Sequence, residues 1–469
     1  MIRGSASAAA TLLLAGCASF SPDGGFDQVS TLTKERVGQA PTLQRTARDS
    51  DSAKARISEL FKQPLQADGA VELAFLNNRG LQASFAELGI AESELVRAGR
   101  LRNPSFSFGR MREGLGVVEI DRAVMFDVLG LLVMPLTRQV EQRRFEQVQL
   151  RAAESAVGIA SDVRRAYFSA VAAQELVKYF QQVKEAAEAS SELARRMVLA
   201  GNFNKLSQLR EQSFYADATA RLARARHQAV SERERLARLL GLWGDQLAFQ
   251  LPERLPELPQ QPAEPRDAEQ TAMDKRLDVL VAKRSTEEVA RSLGLTRATR
   301  FVNVLGLGYQ NKSVTGEPRA HGYEIEVELP LFDFGATRAA RAEATYRQAM
   351  HRTAEVAINA RSEVRESYSA YRSSYDLARH YRDEVVPLRK RISEENLLRY
   401  NEMLIGVFEL LADSREQVTS VTGYVEALRD FWIAETNLQS ALTGGSLGAS
   451  PSPAPTGRSA VPAGDSAAH

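Results

Sequence analysis

Cysteine is almost missing from this sequence, since Cys17 is the only one among 469 residues. A single cysteine cannot form an internal disulfide, so the fold must be held together by its packed core. No apolar run reaches the ~18–20 residues that a transmembrane helix needs, so any membrane-crossing segments would be strands. The sequence also lacks an excess of charge of one sign, because it contains 60 basic and 59 acidic residues. This balance argues against nucleic acid as the main partner.

The surroundings of Cys17 predict an export signal. Arg3 and a short Ala/Leu-rich segment precede it, as in a signal peptide. The run Leu14-Ala15-Gly16-Cys17 resembles the lipobox of bacterial lipoproteins, in which the cysteine is acylated after cleavage before it. We therefore expect a signal peptide at 1–16 and a lipidated (palmitate-bearing) N-terminal segment at 17–70. The alternative is an ordinary signal peptide that contains a chance cysteine.

The two halves of the chain contain the same kinds of segments in the same order. Corresponding segments lie about 200 residues apart in the sequence. An amphipathic helical pattern at 71–102 corresponds to one at 274–300. Two short alternating stretches follow each of them, and then two long helical tracts separated by a turn. A repeat of this length that occurs twice indicates a duplication. The predicted parts are a first repeat at 71–250, a Pro-rich linker at 251–266, a second repeat at 267–445 and a disordered tail at 446–469.

Alternation of apolar and polar residues predicts strands at ~104–112, ~117–128, ~301–310 and ~321–331. In 322–329 one face is apolar and the other is small or acidic, because successive strand side chains point to opposite faces. The apolar set is Tyr323, Ile325, Val327 and Leu329, and the other set is Gly322, Glu324, Glu326 and Glu328. About ten residues of such alternation fit a tilted transmembrane strand. The alternative is a half-buried sheet in a soluble domain.

Four strands are too few to close a barrel, for which ~8 is the practical minimum. An open sheet edge in lipid would leave backbone groups without hydrogen-bond partners. We therefore expect the chain to oligomerise and so complete the barrel. Two copies would give eight strands and three would give twelve.

Two helical tracts, 136–199 and 336–399, are each long enough to extend roughly 95 Å. Pro387 is expected to kink the second tract. Gly201 and Asn401 tolerate a left-handed backbone and are expected in the turns that follow. In the last helix the apolar residues have heptad spacing, which predicts coiled-coil packing. They are Val418, Val421, Val425, Leu428 and Trp432.

The run "AVELAFLNNRGLQASFAELGIAESELVRAGRLRNPSFSFG" resembles the first signature of the TolC-type outer-membrane efflux proteins, and "ELPLFDFGATRAAR" is similar to their second strand-to-helix junction. The lipobox resembles the lipoprotein branch of that family. The resemblance covers about residues 65–443. It implies a mainly α fold with a transmembrane β-barrel: a homotrimer of twelve strands, continued by twelve helices across the periplasm. Each repeat would run helix, strand, strand, long helix, turn, long helix.

The resemblance also implies functional residues. Tyr400 and Glu409 match the family's periplasmic gate, and Asp413 lies beside the second acidic position, which Ala412 occupies. Glu409 and Asp413 are four residues apart on one helical face, so three copies would form an acidic ring that favours cations. For Glu409 the alternative is a solvated helix charge. Ser207 departs from the family pattern, in which an acid is frequent. The expected adaptor-docking tips are Gly201, Asn202, Phe203, Asn401 and Met403, and the expected strand-to-helix junctions are Pro135, Pro330 and Gly335.

The leading hypothesis is therefore an outer-membrane exit duct of a tripartite efflux or secretion system, anchored by lipid and extending into the periplasm. The implied partners are a periplasmic adaptor, an inner-membrane pump of the RND type and outer-membrane lipid. No cofactor, resident metal or catalysis is expected: "DFG" at 333–335 lacks the phosphate loop and catalytic-loop motif of a kinase. The alternative is a lipid-anchored periplasmic coiled coil without a pore. Metal ions and small organic molecules both remain open as substrates.

Overall fold

The computed structural model describes residues 19–112, 114, 116–302 and 304–445, and for 407–414 it describes the backbone alone. Cys17, the predicted signal peptide and the tail at 446–469 lie outside these residues. The described chain is mainly helical, with one small sheet. None of its described helices is both long and apolar enough to cross a membrane.

In the first half of the chain, the described residues form six helices and two strands. They are α1 (Phe26–Val37), α2 (Ala47–Leu60), α3 (Ala67–Asn77), α4 (Arg79–Ala98), β1 (Ser105–Arg112), β2 (Val118–Asp127), α5 (Val128–Leu199) and α6 (Lys205–Leu240). The predicted N-terminal segment therefore contains two helices of its own. Asn78 divides α3 from α4: its backbone is extended, and its side-chain oxygen accepts a hydrogen bond from the Leu81 N–H (3.0 Å).

The second half has a similar order after a linker and a short 3₁₀ helix (Gly244–Ala248). Its elements are α7 (Ala268–Lys275), α8 (Leu277–Ala298), β3 (Val304–Val314), β4 (Ala320–Glu328), α9 (Ala336–His380), α10 (Val386–Asn401) and α11 (Val407–Thr443). A π-helical turn, Tyr381–Val385, lies between α9 and α10.

The four strands form one antiparallel sheet in the order β1-β2-β3-β4. Phe106 lies opposite Val124, Val124 opposite Tyr309, and Tyr309 opposite Tyr323, so these residues form one row across the sheet. Strands occur in all four stretches that the alternation indicates. β3 continues to Val314, four residues beyond the expected end, and β4 stops at Glu328.

The first long helix starts earlier than the sequence indicates, which corrects one predicted junction. α5 begins at Val128 directly after β2 and continues for 72 residues, roughly 110 Å at 1.5 Å per residue. Asp127 caps it, because its side chain accepts a hydrogen bond from the Gly130 N–H (2.7 Å). Pro135 therefore lies inside the helix and not at the strand-to-helix junction. Pro135 is the eighth residue of α5 and has no N–H, so the helical hydrogen bond to the Leu131 carbonyl, four residues earlier, is missing.

The second long tract is interrupted close to the position expected for Pro387. The π-helical turn ends at Val385, and Pro387 occupies the first turn of α10. Proline has no N–H to donate to the carbonyl four residues earlier, so the preceding turn loses an α-helical bond. A wider turn accommodates that loss.

The hydrophobic core joins elements from both halves of the chain. Tyr167 of α5 and Phe431 of α11 are buried in it together with Phe75 of α3. Val418, Val425 and Leu428 are buried, as the heptad spacing predicts. Trp432 stacks on Phe168 with ring centroids 5.4 Å apart.

The Pro-rich linker packs into this core. Leu251, Leu255 and Leu258 are buried. The Trp432 indole N–H donates to the Pro256 carbonyl (3.1 Å), and the Tyr375 hydroxyl donates to the Gln260 carbonyl (2.7 Å). The Leu255 N–H also donates to the Glu175 side chain of α5 (3.1 Å), so the linker contacts helices of both repeats.

Candidate functional site

The two faces of the sheet carry opposite chemistry. Residues directly opposite each other on neighbouring strands share a face, so the register assigns every strand side chain to one side. Every carboxylate of the four strands falls on the same face: Glu119, Asp121, Asp127, Glu324, Glu326 and Glu328. Lys312 also lies there and pairs with Glu119. The other face carries Phe106, Phe126, Leu307, Tyr323 and Ile325, all exposed in the single chain. Such a sheet suits a boundary between lipid and water.

A tight turn joins β4 to α9 and contains Pro330 and Gly335, two of the predicted junction residues. Gly335 has φ 67°, and a Cβ there would lie 2.4 Å from the Arg300 carbonyl oxygen. The Asp333 carboxylate accepts a hydrogen bond from the Gly335 N–H (2.9 Å) and bonds the Thr337 hydroxyl (2.5 Å). The acid of "DFG" therefore fixes the start of a helix.

Two tight turns connect the ends of the long helices. Gly201 has φ 75° between α5 and α6, which confirms the left-handed position expected there. The Asn202 N–H donates to the Met197 carbonyl (2.9 Å). The equivalent bond after α10 runs from Leu404 to Arg399 (2.8 Å), and the left-handed residue is Met403, with φ 61°.

The second turn corrects the expectation for Asn401, which ends α10 in helical geometry and is not the left-handed residue. The side chain of Met403 is 92% exposed. Phe203 lies in the first turn, one residue before Asn204, whose side chain caps α6. The residues expected to dock an adaptor thus lie in the two turns or, for Asn401, at the last position of α10.

Of the three expected gate residues, Tyr400 directly precedes the second turn, and Glu409 and Asp413 follow it. Tyr400 lies in the last turn of α10, is 39% exposed, and its carbonyl accepts a bond from the Met403 N–H (3.0 Å). Glu409 and Asp413 fall in the first two turns of α11. Their side chains lie outside the described part of the structure, so their roles remain predictions.

An ion pair near the tips, in which the carboxylate is buried and the arginine is partly exposed, was not found by sequence reasoning. Glu211 of α6 is 1% exposed and accepts hydrogen bonds from the Ser190 hydroxyl (2.9 Å) and the Arg415 guanidinium (3.1 Å). Arg415 also lies 4.6 Å from the centre of the Phe214 ring. The pair ties α5, α6 and α11 together. The only sequence signal is that Glu211 lies one helical turn after Ser207.

Ser207 itself is buried, and its N–H donates to the Asn204 side chain (2.8 Å). Glu211 supplies a carboxylate four residues later in the same helix. Within the described residues, no group of three or more His, Cys, Asp or Glu is placed to hold a metal ion.

Comparison with known proteins finds one curated relative and several solved structures with a similar fold. No family model matches the chain. It is 26% identical over 290 residues to the cobalt-zinc-cadmium resistance protein CzcC of Cupriavidus metallidurans, covering 58% of this chain and 64% of that protein. The chain thus spans less than two thirds of the length of this curated relative.

Two solved structures share the fold over most of their length. The CmeC outer membrane channel of Campylobacter jejuni has a TM-score of 0.66 at 14% identity, covering 88% of this chain and 91% of that one. The open state of the MtrE outer membrane channel of Neisseria gonorrhoeae has a TM-score of 0.67 at 16% identity, covering 80% and 88%. The chain therefore shares the fold of these solved outer-membrane channels.

Proposed function

We propose that this chain forms the outer-membrane exit duct of a tripartite efflux system. One observation carries the proposal: the sheet has an apolar face and an acidic face, and its two edge strands, β1 and β4, have no further strand partner among the described residues. Exposed edges in lipid are costly because their backbone groups stay unpaired. Pairing β4 of one copy with β1 of the next removes the edges, and three copies close a twelve-stranded barrel.

The long helices extend the barrel into a tunnel. α5 alone is long enough to extend roughly 110 Å from the end of β2. In three copies the helices of both halves form a twelve-helix layer that continues the barrel. Substrate enters from a periplasmic adaptor and an inner-membrane pump of the RND type, so the duct itself needs no cofactor and performs no chemical step. The adaptor docks at the turns that contain Gly201, Asn202, Phe203, Asn401 and Met403.

The proposed gate is at the same end. Tyr400, Glu409 and Asp413 constrict the pore, and three copies of each carboxylate form a negative ring. The Glu211–Arg415 pair supports this location, since it holds α6 against α11 beside the proposed constriction. Acylation of Cys17 anchors each copy to the outer membrane.

The substrate class that fits best is divalent metal cations. The matched relative is named for cobalt, zinc and cadmium resistance. The carboxylates that share one face of the sheet would line the proposed barrel, and a negative lining favours cations.

The native mass of the protein tests the proposal directly. Full-length protein is extracted from outer membranes in mild detergent, and its mass is measured by native mass spectrometry. We expect three lipidated chains. A stable monomer would mean that the strands do not close a barrel, and would favour a lipid-anchored coiled coil without a pore.

A further inference from the structure

Three arginines lie on the apolar face of the sheet. Arg110 is opposite Ile120, Arg112 is opposite Val118, and Arg122 is opposite Phe108. The register therefore places them on the same side as Phe106, Tyr309 and Tyr323, and on the side away from all strand carboxylates. A face that is otherwise suited to lipid thus carries three positive charges and no negative one within the strands.

The arginines are confined to one end of the sheet. On the apolar face, three rows without charged residues lie nearest the helices. Counted from the helices, the first row contains Leu305 and Val327, and the second contains Phe126, Leu307 and Ile325. The third row contains Phe106, Val124, Tyr309 and Tyr323. Arg122 lies in the next row, and Arg110 and Arg112 lie in the two rows beyond it. At about 3.4 Å per residue, Arg112 is roughly 20 Å along β1 from Phe106. The charges thus begin where the apolar band ends.

These side chains are not used in ion pairs within the described chain. All three arginines are exposed. None of the ion pairs among the described residues includes them, and Arg122 has a 3.5 Å contact with the Asn311 side-chain oxygen. A guanidinium next to hydrocarbon is costly unless an anion meets it, so this arrangement calls for a negatively charged partner at the edge of the membrane.

We propose that Arg110, Arg112 and Arg122 bind the phosphate groups of lipid headgroups in the leaflet farther from the helices. This inference rests on the proposed barrel, whose apolar face contacts lipid. A guanidinium presents two parallel N–H donors that match phosphate oxygens, and phosphate is the anion that membranes supply at this depth. The three rows of arginines hold the barrel at a fixed height and select phosphorylated lipids around it.

The test is lipid binding by the purified trimer in mild detergent, measured by native mass spectrometry. The probes are lipid A with its two phosphates and lipid A from which both have been removed. The main variant is the triple change Arg110→Gln, Arg112→Gln and Arg122→Gln. The matched control removes three exposed charges from α6, by Arg224→Gln, Arg235→Gln and Arg238→Gln.

We expect wild type and the α6 control to prefer phosphorylated lipid A, and the sheet variant to lose that preference, with roughly fivefold weaker binding for each arginine removed. Equal preference in the sheet variant and wild type would overturn the inference. If the sheet variant does not assemble, the triple arginine-to-lysine variant is used, which keeps the charge but not the paired donors. It should bind phosphorylated lipid A more weakly than wild type, and binding equal to that of wild type would overturn the proposal.

The outcomes separate this inference from the proposed function. A wild-type protein that is monomeric in mild detergent would refute the barrel itself. A trimer without preference for phosphorylated lipid would refute only the role of the three arginines.

Discussion

At the residue scale, Gly335 shows how one backbone position fixes the strand-to-helix junction. Its left-handed geometry is unfavourable for other residues, and a Cβ would approach the Arg300 carbonyl oxygen. We expect Gly335→Ala to destabilise the protein by about 1–3 kcal/mol. The measurement is thermal unfolding followed by helical circular dichroism in mild detergent.

The control for this substitution is Gly89→Ala. Gly89 lies within α4, and a Cβ there would meet no atom within 4 Å. Alanine is a better helix former than glycine, so this change should be neutral or should stabilise by about 0.5–1 kcal/mol. Equal melting temperatures for the two variants would refute the strain assigned to Gly335.

Glu154 is the second residue whose surroundings lead to a prediction. Burial raises the pKa of this α5 carboxyl from 4.5 to about 7, with the nearby Asp278 charge adding to the effect and Arg151 and Arg276 opposing it. The folded state therefore resists ionisation of Glu154 more than the unfolded state does. The contribution of the protonated Glu154 carboxyl to the free energy of unfolding is fully present below about pH 4.5. It is lost progressively as the pH rises to about 7.

Glu154→Gln should remove this part of the pH dependence. We expect the melting temperature of wild type to fall more between pH 5 and pH 8 than that of the variant, by the equivalent of about 2 kcal/mol. Glu234→Gln, at an exposed position on α6, is the control and should follow wild type. Parallel curves for wild type and Glu154→Gln would contradict the prediction.

At the element scale, the two long tracts differ in their continuity. α5 continues without interruption past Pro135, whereas the second tract breaks at a π-helical turn before Pro387. Both prolines lack an N–H and so remove one α-helical hydrogen bond, but only the second tract forms a wider turn beside its proline. The sequence shows both prolines, and only the structure shows which of them lies beside a π-helical turn.

The hairpin formed by α10 and α11 leads to a prediction about conductance. Replacing Glu409 and Asp413 together by alanine should raise the open-channel conductance or weaken the preference for cations, because the ring of charge at the proposed constriction is removed. The measurement is single-channel recording in planar bilayers with a potassium chloride gradient.

A matched pair of exposed acids on α9, Glu366 and Asp376, provides the control for the gate. Their replacement by alanine removes the same charge from positions far from the turn and should leave the conductance close to that of wild type. An unchanged channel after the Glu409 and Asp413 substitutions would refute the gate assignment but not the fold.

At the scale of the whole molecule, the substrate can be tested in the cell. Deleting the gene should increase susceptibility to cobalt, zinc and cadmium by severalfold, measured as the minimal inhibitory concentration, since the proposed duct exports cations. Complementation with the wild-type gene should restore resistance. Increased susceptibility to common antibiotics, with metal tolerance unchanged, would favour small organic substrates.

The sequence alone determined much of this architecture. Period-two alternation located the four strands, because a sheet with one apolar face forces that pattern on every strand. Heptad spacing located the buried face of α11, and the turn with Gly201 followed from a residue that tolerates a left-handed backbone. These features depend on local backbone geometry, which neighbouring residues fix.

Tertiary structure decided what depends on contacts between distant segments. The Glu211–Arg415 pair joins residues about two hundred positions apart, and its charges resemble any solvated helix surface in the sequence. The Pro-rich linker has the composition of a free connection, yet its leucines and carbonyls dock on both repeats. The left-handed turn residue shifted from Asn401 to Met403, because the last helical hydrogen bonds set where the turn begins. These three features depend on packing and on specific hydrogen bonds, which no local sequence pattern encodes.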